Sequence, residues 1–97
     1  MKQDPADRWL NEGATKHRAG DLDGAAALYA RVLARRPRDA NALNLLGLVA
    51  RARGDAARAV ALSAQALAIV PGSPVVLAIH GAALAEAGRP ADAVPVL

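Results

Sequence analysis

Two series of glycines recur along this chain at intervals of 34 residues. The first series is Gly13, Gly47 and Gly81, and the second is Gly20, Gly54 and Gly88. Other residues that keep the same spacing are Ala25, Ala59 and Ala93, Pro37 and Pro71, and Leu33 and Leu67. A period of this length indicates one supersecondary unit that is copied and stacked. The function is then restricted to what a stack of such units can do.

The composition favours helices and argues against most enzymes. Hydrophobic residues, dominated by alanine and leucine, make up 54% of the chain, and Phe and Cys are absent. Alanine is the best helix former, and its small side chain lets helices pack closely. Without cysteine, the chain has neither thiol chemistry nor thiolate metal ligands.

The charge of the chain is mildly positive. The net charge is +3, and most of the basic residues are arginines. Arg31, Arg35, Arg36 and Arg38 cluster near a predicted helix end, where cations complement the helix dipole. Neither a basic stripe nor interleaved aromatic residues accompany them, so we predict no nucleic-acid partner. The polar N-terminus is unlike a secretory signal, and no apolar run approaches the roughly 18 residues of a membrane span, so we expect a cytoplasmic protein without a membrane partner.

Glycine, aspartate and proline divide the chain into predicted helices. Gly20–Asp21 and Gly54–Asp55 each combine a helix stop with the cap of the next helix. The predicted helices cover residues 6–19, 22–35, 40–53, 56–69 and 74–87, and a short sixth covers 91–97, where Pro95 predicts a kink. The predicted organisation is a lead-in (1–5), repeat 1 (6–39), repeat 2 (40–73) and an incomplete repeat 3 (74–97). Because the third period stops early, we expect either a piece of a longer protein or self-association at the C-terminal edge.

These repeats resemble the tetratricopeptide repeat, whose pattern is W-x2-L-G-x2-Y, then A-x3-F, then P. The matching residues are Trp9, Gly13, Ala25, Tyr29 and Pro37, then Leu43, Leu46, Gly47, Ala59, Ala66 and Pro71, then Leu77, Gly81 and Ala93. Glu12 and His80 depart from the pattern, which prefers leucine there. The resemblance implies an all-α fold, a right-handed α-solenoid of antiparallel helix pairs with about six helices, the last of them short. We expect each motif glycine to face a motif alanine across a helix pair, and Trp9 and Tyr29 to pack in the core.

The resemblance also implies a binding surface, because the first helix of each unit lines a concave groove. The groove residues carried over from the family are Leu10, Ala14, His17, Asn41, Asn44, Leu45, Leu48, Arg51, Val75, Ala78, Ile79 and Ala82. The amides of Asn41 and Asn44 can donate to and accept from a peptide backbone, although asparagine near a helix start can instead satisfy its own backbone.

The nature of the ligand follows from the polarity of these positions. Chaperone-binding members of the family clamp a C-terminal carboxylate with polar and charged side chains. At the matching positions this chain has Leu10, Ala14, Leu45, Val75 and Ile79, so we expect no such clamp. We therefore predict a protein or peptide partner with an apolar segment or helix that fills the groove.

Other functional classes find little support in the sequence. His17 is expected at the rim of the groove and His80 against the core, and no further ligands stand at spacings that suit a metal ion. We predict no cofactor and no catalytic residues, since neither a Ser-His-Asp set nor a phosphate loop is visible. Residues 19–47 are also similar to repeats that precede glycosyltransferase or sulfotransferase domains in bacterial enzymes. One alternative is therefore a substrate-recruiting region of such an enzyme, and another is a scaffold that associates with itself.

Overall fold

The structure, a computed structural model, describes residues 4–88, which form five α-helices. They are α1 (Pro5–Arg18), α2 (Leu22–Arg35), α3 (Ala40–Ala52), α4 (Ala56–Ile69) and α5 (Pro74–Gly88). Each predicted helix within this range is confirmed to within one residue at either end. The predicted sixth helix, at 91–97, lies outside the described residues.

The helix boundaries follow from local hydrogen bonds. The side chains of Asp4, Asp21, Asp39 and Asp55 each accept a hydrogen bond from a backbone N–H in the first turn of the following helix. Such a cap satisfies a donor that has no partner within the helix. The hydroxyl of Ser73 accepts from the backbone N–H of Val76 in the same way at α5, over 3.3 Å.

Two glycines make the tight turns within the first two helix pairs. Gly20 has a φ of 85° and Gly54 a φ of 81°, in the left-handed region that glycine adopts without steric cost. After each glycine the chain turns back, and the N–H of the next aspartate donates to the last turn of the preceding helix, as in Asp21 N to Lys16 O at 2.8 Å. The Gly–Asp dipeptides therefore act as the sequence predicts.

The helices stack mainly on their neighbours in sequence. α1 packs on α2, α2 on α3, α3 on α4 and α4 on α5, and α3 also contacts α5. The stack is elongated, with principal extents of 57 × 28 × 20 Å. Its main core holds buried side chains from α2 to α5, among them Tyr29, Leu43, Val49, Leu62 and Val76. Among residues 4–88, no helix combines the length and the apolar character needed to cross a membrane.

The repeated glycines meet different neighbours in the two complete pairs. A Cβ atom added to Gly47 would lie 3.7 Å from Leu62 Cβ and 3.8 Å from the Ala59 carbonyl oxygen, so the predicted approach to the motif alanine is confirmed there. At Gly13 the three nearest atoms all belong to the ring of Tyr29, the closest of them 2.5 Å from an added Cβ, and the facing alanine stays a prediction at that position. The ring fills the space that the missing side chain leaves.

The two aromatic residues differ in burial. Tyr29 is fully buried, as predicted. Trp9 is only half-buried; it packs beside Ala6 and Val32, and the guanidinium carbon of Arg31 lies 5.0 Å from the centroid of its ring. At this distance the cation is attracted by the face of the ring. One of the clustered arginines is thus engaged by the fold itself.

Candidate functional site

The predicted groove residues lie on three helices, α1, α3 and α5, with different degrees of burial. Asn44 and Ile79 are buried, and Asn41, Val75 and Ala78 are exposed. The others are half-buried: Leu10, Ala14, His17, Leu45, Leu48, Arg51 and Ala82. Leu10 and Leu45 pack against the main core, so part of their surface contributes to the fold.

A cavity of about 340 Å³ lies where α3 begins, α4 ends and α5 begins, a region called here the second junction. Its lining consists of Ala40, Asn41, Asn44, Val70, Ser73, Val75 and Val76. Three predicted groove residues, Asn41, Asn44 and Val75, therefore meet at one cavity. No lining side chain carries a charge, and the walls are largely apolar.

Asn44 is the polar residue of this cavity that the fold leaves unsatisfied. Its side chain is only 5% exposed, and its Oδ1 atom is buried without a hydrogen-bond partner among the described residues. A buried acceptor without a partner costs about 1 to 3 kcal/mol, so such a group calls for an explanation. The terminal torsion of asparagine has a broad energy minimum, which lets the amide turn towards a group that enters the cavity.

The equivalent place one repeat earlier, the first junction, is closed by charged side chains. There Arg36 reaches three carboxylates, with Nη2 3.0 Å from Asp4 Oδ2, and Nη1 3.1 Å from Asp7 Oδ1 and 3.4 Å from Asp39 Oδ2. Arg35 Nε adds a contact of 2.8 Å to Asp4. One guanidinium thus ties the start of α1 to the end of α2 and the start of α3.

The electrostatics of the first junction shift the ionisation of these groups. The backbone N–H of Ala6, together with Arg36 and Arg35, lowers the pKa of Asp4 to about 2. Hydrogen bonds to Asp7 and Asp4 raise the pKa of Arg36 above its ordinary value. Both shifts favour the charged forms that hold the cluster together.

The 34-residue register explains why the second junction stays open. Shifting Asp7, Arg36 and Asp39 by one period gives Asn41, Val70 and Ser73, three residues that line the cavity. The same shift takes the apolar Leu10 to Asn44. The second junction therefore loses the ion cluster and gains a buried amide.

An ion pair joins α3 to α5 near the C-terminal ends of the two helices. Arg51 donates from Nε to Glu86 Oε1 over 2.9 Å and from Nη2 to Glu86 Oε2 over 2.7 Å. This bidentate contact raises the pKa of Arg51. Arg51, a predicted groove residue, is thus held by α5, and the pair joins the two helices at the ends opposite the cavity.

Comparison with known families agrees with the helix pairs and the repeated glycines. A family model described as tetratricopeptide repeat matches residues 10–74, which is more than half of the chain. The chain belongs to the tetratricopeptide repeat family. Tetratricopeptide repeats generally mediate protein–protein interactions, and they are typically non-catalytic. No curated protein matches the sequence.

Within this tetratricopeptide repeat chain, the two histidines stand apart from the cavity. His80 is half-buried between α4 and α5, with Nδ1 2.7 Å from the Ser63 hydroxyl oxygen, in line with its expected place against the core. His17 is half-buried on α1. In the part of the chain that the structure describes, no three His, Asp or Glu side chains are grouped so that they could hold a metal ion.

A second cavity of the tetratricopeptide repeat stack, of about 280 Å³, opens between α2, α3 and α4. Its walls combine alanines of α2 with buried residues of α3 and with Arg53, Asp55 and Arg58. None of the predicted groove residues lines it, Asn44 included. The second junction is therefore the stronger candidate.

Four of the seven residues that line the second junction are absent from the predicted groove: Ala40, Val70, Ser73 and Val76. Val70 and Ser73 lie in the connection between α4 and α5, and a groove defined by first helices alone omits them. The sequence does contain a signal for Val70 and Ser73. One period earlier the same positions hold the charged residues Arg36 and Asp39, so the two repeats differ in charge there.

Proposed function

We propose that this chain is a non-catalytic interaction module that binds an extended, apolar peptide segment of a partner protein at the second junction. The observation that carries the proposal is the buried, unpartnered Oδ1 of Asn44 beside an uncharged cavity. A peptide backbone N–H that reached this oxygen would satisfy it. The partner would thus supply a hydrogen bond that the fold itself leaves unmade.

The cavity lining indicates the chemistry of the segment. Val70, Val75 and Val76 offer apolar contacts, which suit an aliphatic side chain of the ligand. Asn41 and Ser73 lie at the same cavity and supply further polar groups for a backbone that runs past the start of α5. A charged ligand side chain would lose its hydration without finding an opposite charge among these residues.

A substitution borrowed from the first repeat tests the role of Asn44. Asn44→Leu places at the second junction the residue that Leu10 contributes one period earlier. We expect this variant to be more stable by about 1 to 3 kcal/mol, because it removes the unsatisfied amide. We expect it to bind peptide about tenfold more weakly or worse, because the hydrogen bond is lost. A variant that is more stable but binds more weakly would indicate that Asn44 serves ligand recognition rather than folding.

The binding probe is a library of random dodecapeptides displayed on phage, selected against the 97-residue chain. Synthetic copies of selected peptides are then titrated calorimetrically against the wild-type chain, Asn44→Leu, and a triple variant Asn41→Asp, Val70→Arg and Ser73→Asp that copies the first junction. Gln65→Ala, on the exposed side of α4, is the matched control. We expect apolar peptides whose binding is lost in the triple variant and kept in the control. Failure to select any peptide, or equal binding by the triple variant, would contradict the proposal.

The alternative of a substrate-recruiting region in a larger bacterial glycosyltransferase or sulfotransferase stays a prediction. It would use the same cavity, with the catalytic domain elsewhere in the protein. Cytoplasmic location and the exclusion of nucleic-acid, membrane and carboxylate-clamp ligands also remain predictions from the sequence. Self-association would use a different surface, on α5.

A further inference from the structure

Among the described residues, the large hydrophobic side chains that are exposed all lie on α5. They are Val75, Leu77 and Leu84, at 62%, 49% and 49% exposure. The buried side of this helix already carries Val76, Ile79 and Ala83. A helix that is hydrophobic all round is normally buried on all sides. Val75 lines the second-junction cavity, which leaves Leu77 and Leu84 without an assigned contact surface.

The repeat register identifies what this face of α5 is suited to meet. Leu77, Gly81 and Leu84 correspond, one period earlier, to Leu43, Gly47 and Ala50 of α3, all of them buried. At Gly47 the covering atoms come from α4, at the ordinary contact distances given above. An added Cβ at Gly81, by contrast, would meet no atom of residues 4–88 within 4 Å. The exposed face of α5 is therefore the face that a second helix covers in the preceding pair.

We propose that a second copy of this chain covers that face, with two α5 helices packed antiparallel about a two-fold axis near Gly81. The spacing along α5 is self-complementary, because Leu77 precedes Gly81 by four residues and Leu84 follows it by three. An antiparallel pairing centred there sets Leu77 against Leu84 of the partner subunit, and the reverse contact follows from symmetry. Gly81, which has no side chain, lies at the closest approach of the two helices.

Charge favours a second copy over a charged partner. Apart from His80, the only side chain on α5 that can carry a charge is Glu86, and it pairs with Arg51 of the same chain. Two copies can thus bring these faces together without like-charge repulsion. Charged residues on a different partner helix would instead lose their hydration at this face. Leu77, Gly81 and Leu84 do not line the second-junction cavity, so this interface is independent of the proposed peptide site.

Sedimentation velocity of the full chain, from low micromolar to near-millimolar concentration, tests the association. We expect a monomer–dimer equilibrium whose dissociation constant rises at least about a hundredfold in Leu84→Glu, since a buried charge without a partner is strongly unfavourable. Ala61→Glu, which adds the same charge on the exposed side of α4, should leave the constant unchanged. Circular dichroism shows whether each variant keeps its helices.

A cysteine experiment tests the symmetry axis separately. The chain contains no cysteine. Gly81→Cys should therefore form a disulfide-linked dimer rapidly under mild oxidation, whereas Ala61→Cys should not. A strict monomer at every concentration, or a dimer that Leu84→Glu does not weaken, would overturn the proposal. So would equal rates of crosslinking for the two cysteine variants. Peptide binding at Asn44 can hold or fail independently of each result.

Discussion

The first and second helix pairs share one backbone register but use different side chains at equivalent places. In the first pair, an aromatic ring fills the space beside Gly13, and an ion cluster around Arg36 closes the junction with the next pair. In the second pair, Gly47 meets an aliphatic side chain, and the junction that follows holds a cavity. The repeated residues thus define where helices lie, and the residues between them decide whether a junction is closed or open.

The largest contrast should appear at the glycines. Gly13→Ala places a Cβ against the Tyr29 ring and should cost about 1 to 3 kcal/mol through overpacking. Gly47→Ala finds ordinary contact distances and should gain about 0.5 to 1 kcal/mol, because alanine is the better helix former. Urea denaturation followed by circular dichroism measures both free energies of unfolding. If both substitutions changed the free energy of unfolding in the same direction, the contacts at Gly13 and Gly47 would be equivalent.

A smaller contrast is expected between Tyr29 and Ser63, which occupy the same register position. The Tyr29 hydroxyl is buried without a partner among the described residues, and burial raises the pKa of Tyr29. Tyr29→Phe should therefore stabilise the fold by about 1 kcal/mol. The Ser63 hydroxyl contacts the Ala59 carbonyl oxygen at 2.8 Å and His80 Nδ1 at 2.7 Å.

Ser63→Ala should cost about 1 kcal/mol, because both of these contacts are lost. Thermal unfolding of the two variants measures the difference. Loss of stability in Tyr29→Phe would mean that the hydroxyl has a partner that satisfies it in solution. An unchanged melting temperature in Ser63→Ala would mean that neither hydrogen bond contributes to stability.

The smallest predicted effect is the loss of folding stability at acidic pH. Because the pKa of Asp4 falls from 3.8 to about 2 on folding, its ionised form stabilises the native state. The contribution is fully present above about pH 4 and is lost as the pH falls through about 2. Arg36→Val, which copies Val70 of the next repeat, should move the pKa of Asp4 back towards 3.8.

Carboxyl chemical shifts in an NMR titration measure this pKa in the wild-type chain and in the variant. An unchanged pKa in Arg36→Val would mean that the Ala6 N–H and Arg35 together account for the shift. The Ser73 cap of α5 carries no titrating group, so the N-terminus of that helix should keep its structure over the same range of pH.

The helix boundaries could be predicted because their signals are local. Asp21 and Asp55 cap a helix within three residues of themselves, and Gly20 and Gly54 end the preceding helix through their own backbone angles. Such interactions depend on the immediate sequence alone. The predicted and observed ends consequently agree within one residue.

The contacts between helices could not be predicted as well from the sequence. The pattern of the family suggested an alanine opposite Gly13 but did not indicate that the ring of Tyr29 comes closest to this glycine, because the reach of a long side chain depends on its packing. The second-junction cavity depends on three elements meeting in space, so no single periodicity indicates it. The burial of Asn44 Oδ1 likewise follows from packing around the residue rather than from its position in α3.

The stacking of helices mainly on their sequence neighbours has a consequence for local opening. In such a one-dimensional array each helix is held by few others. We therefore expect segments to exchange their amide hydrogens with free energies well below that of global unfolding. The second-junction cavity is lined by α3, by the connection after α4 and by α5. A ligand seated there would link all three, and slower amide exchange would spread into α5 without a change of its shape. Ligand binding in this one small cavity would then reduce local opening along about half of the stack.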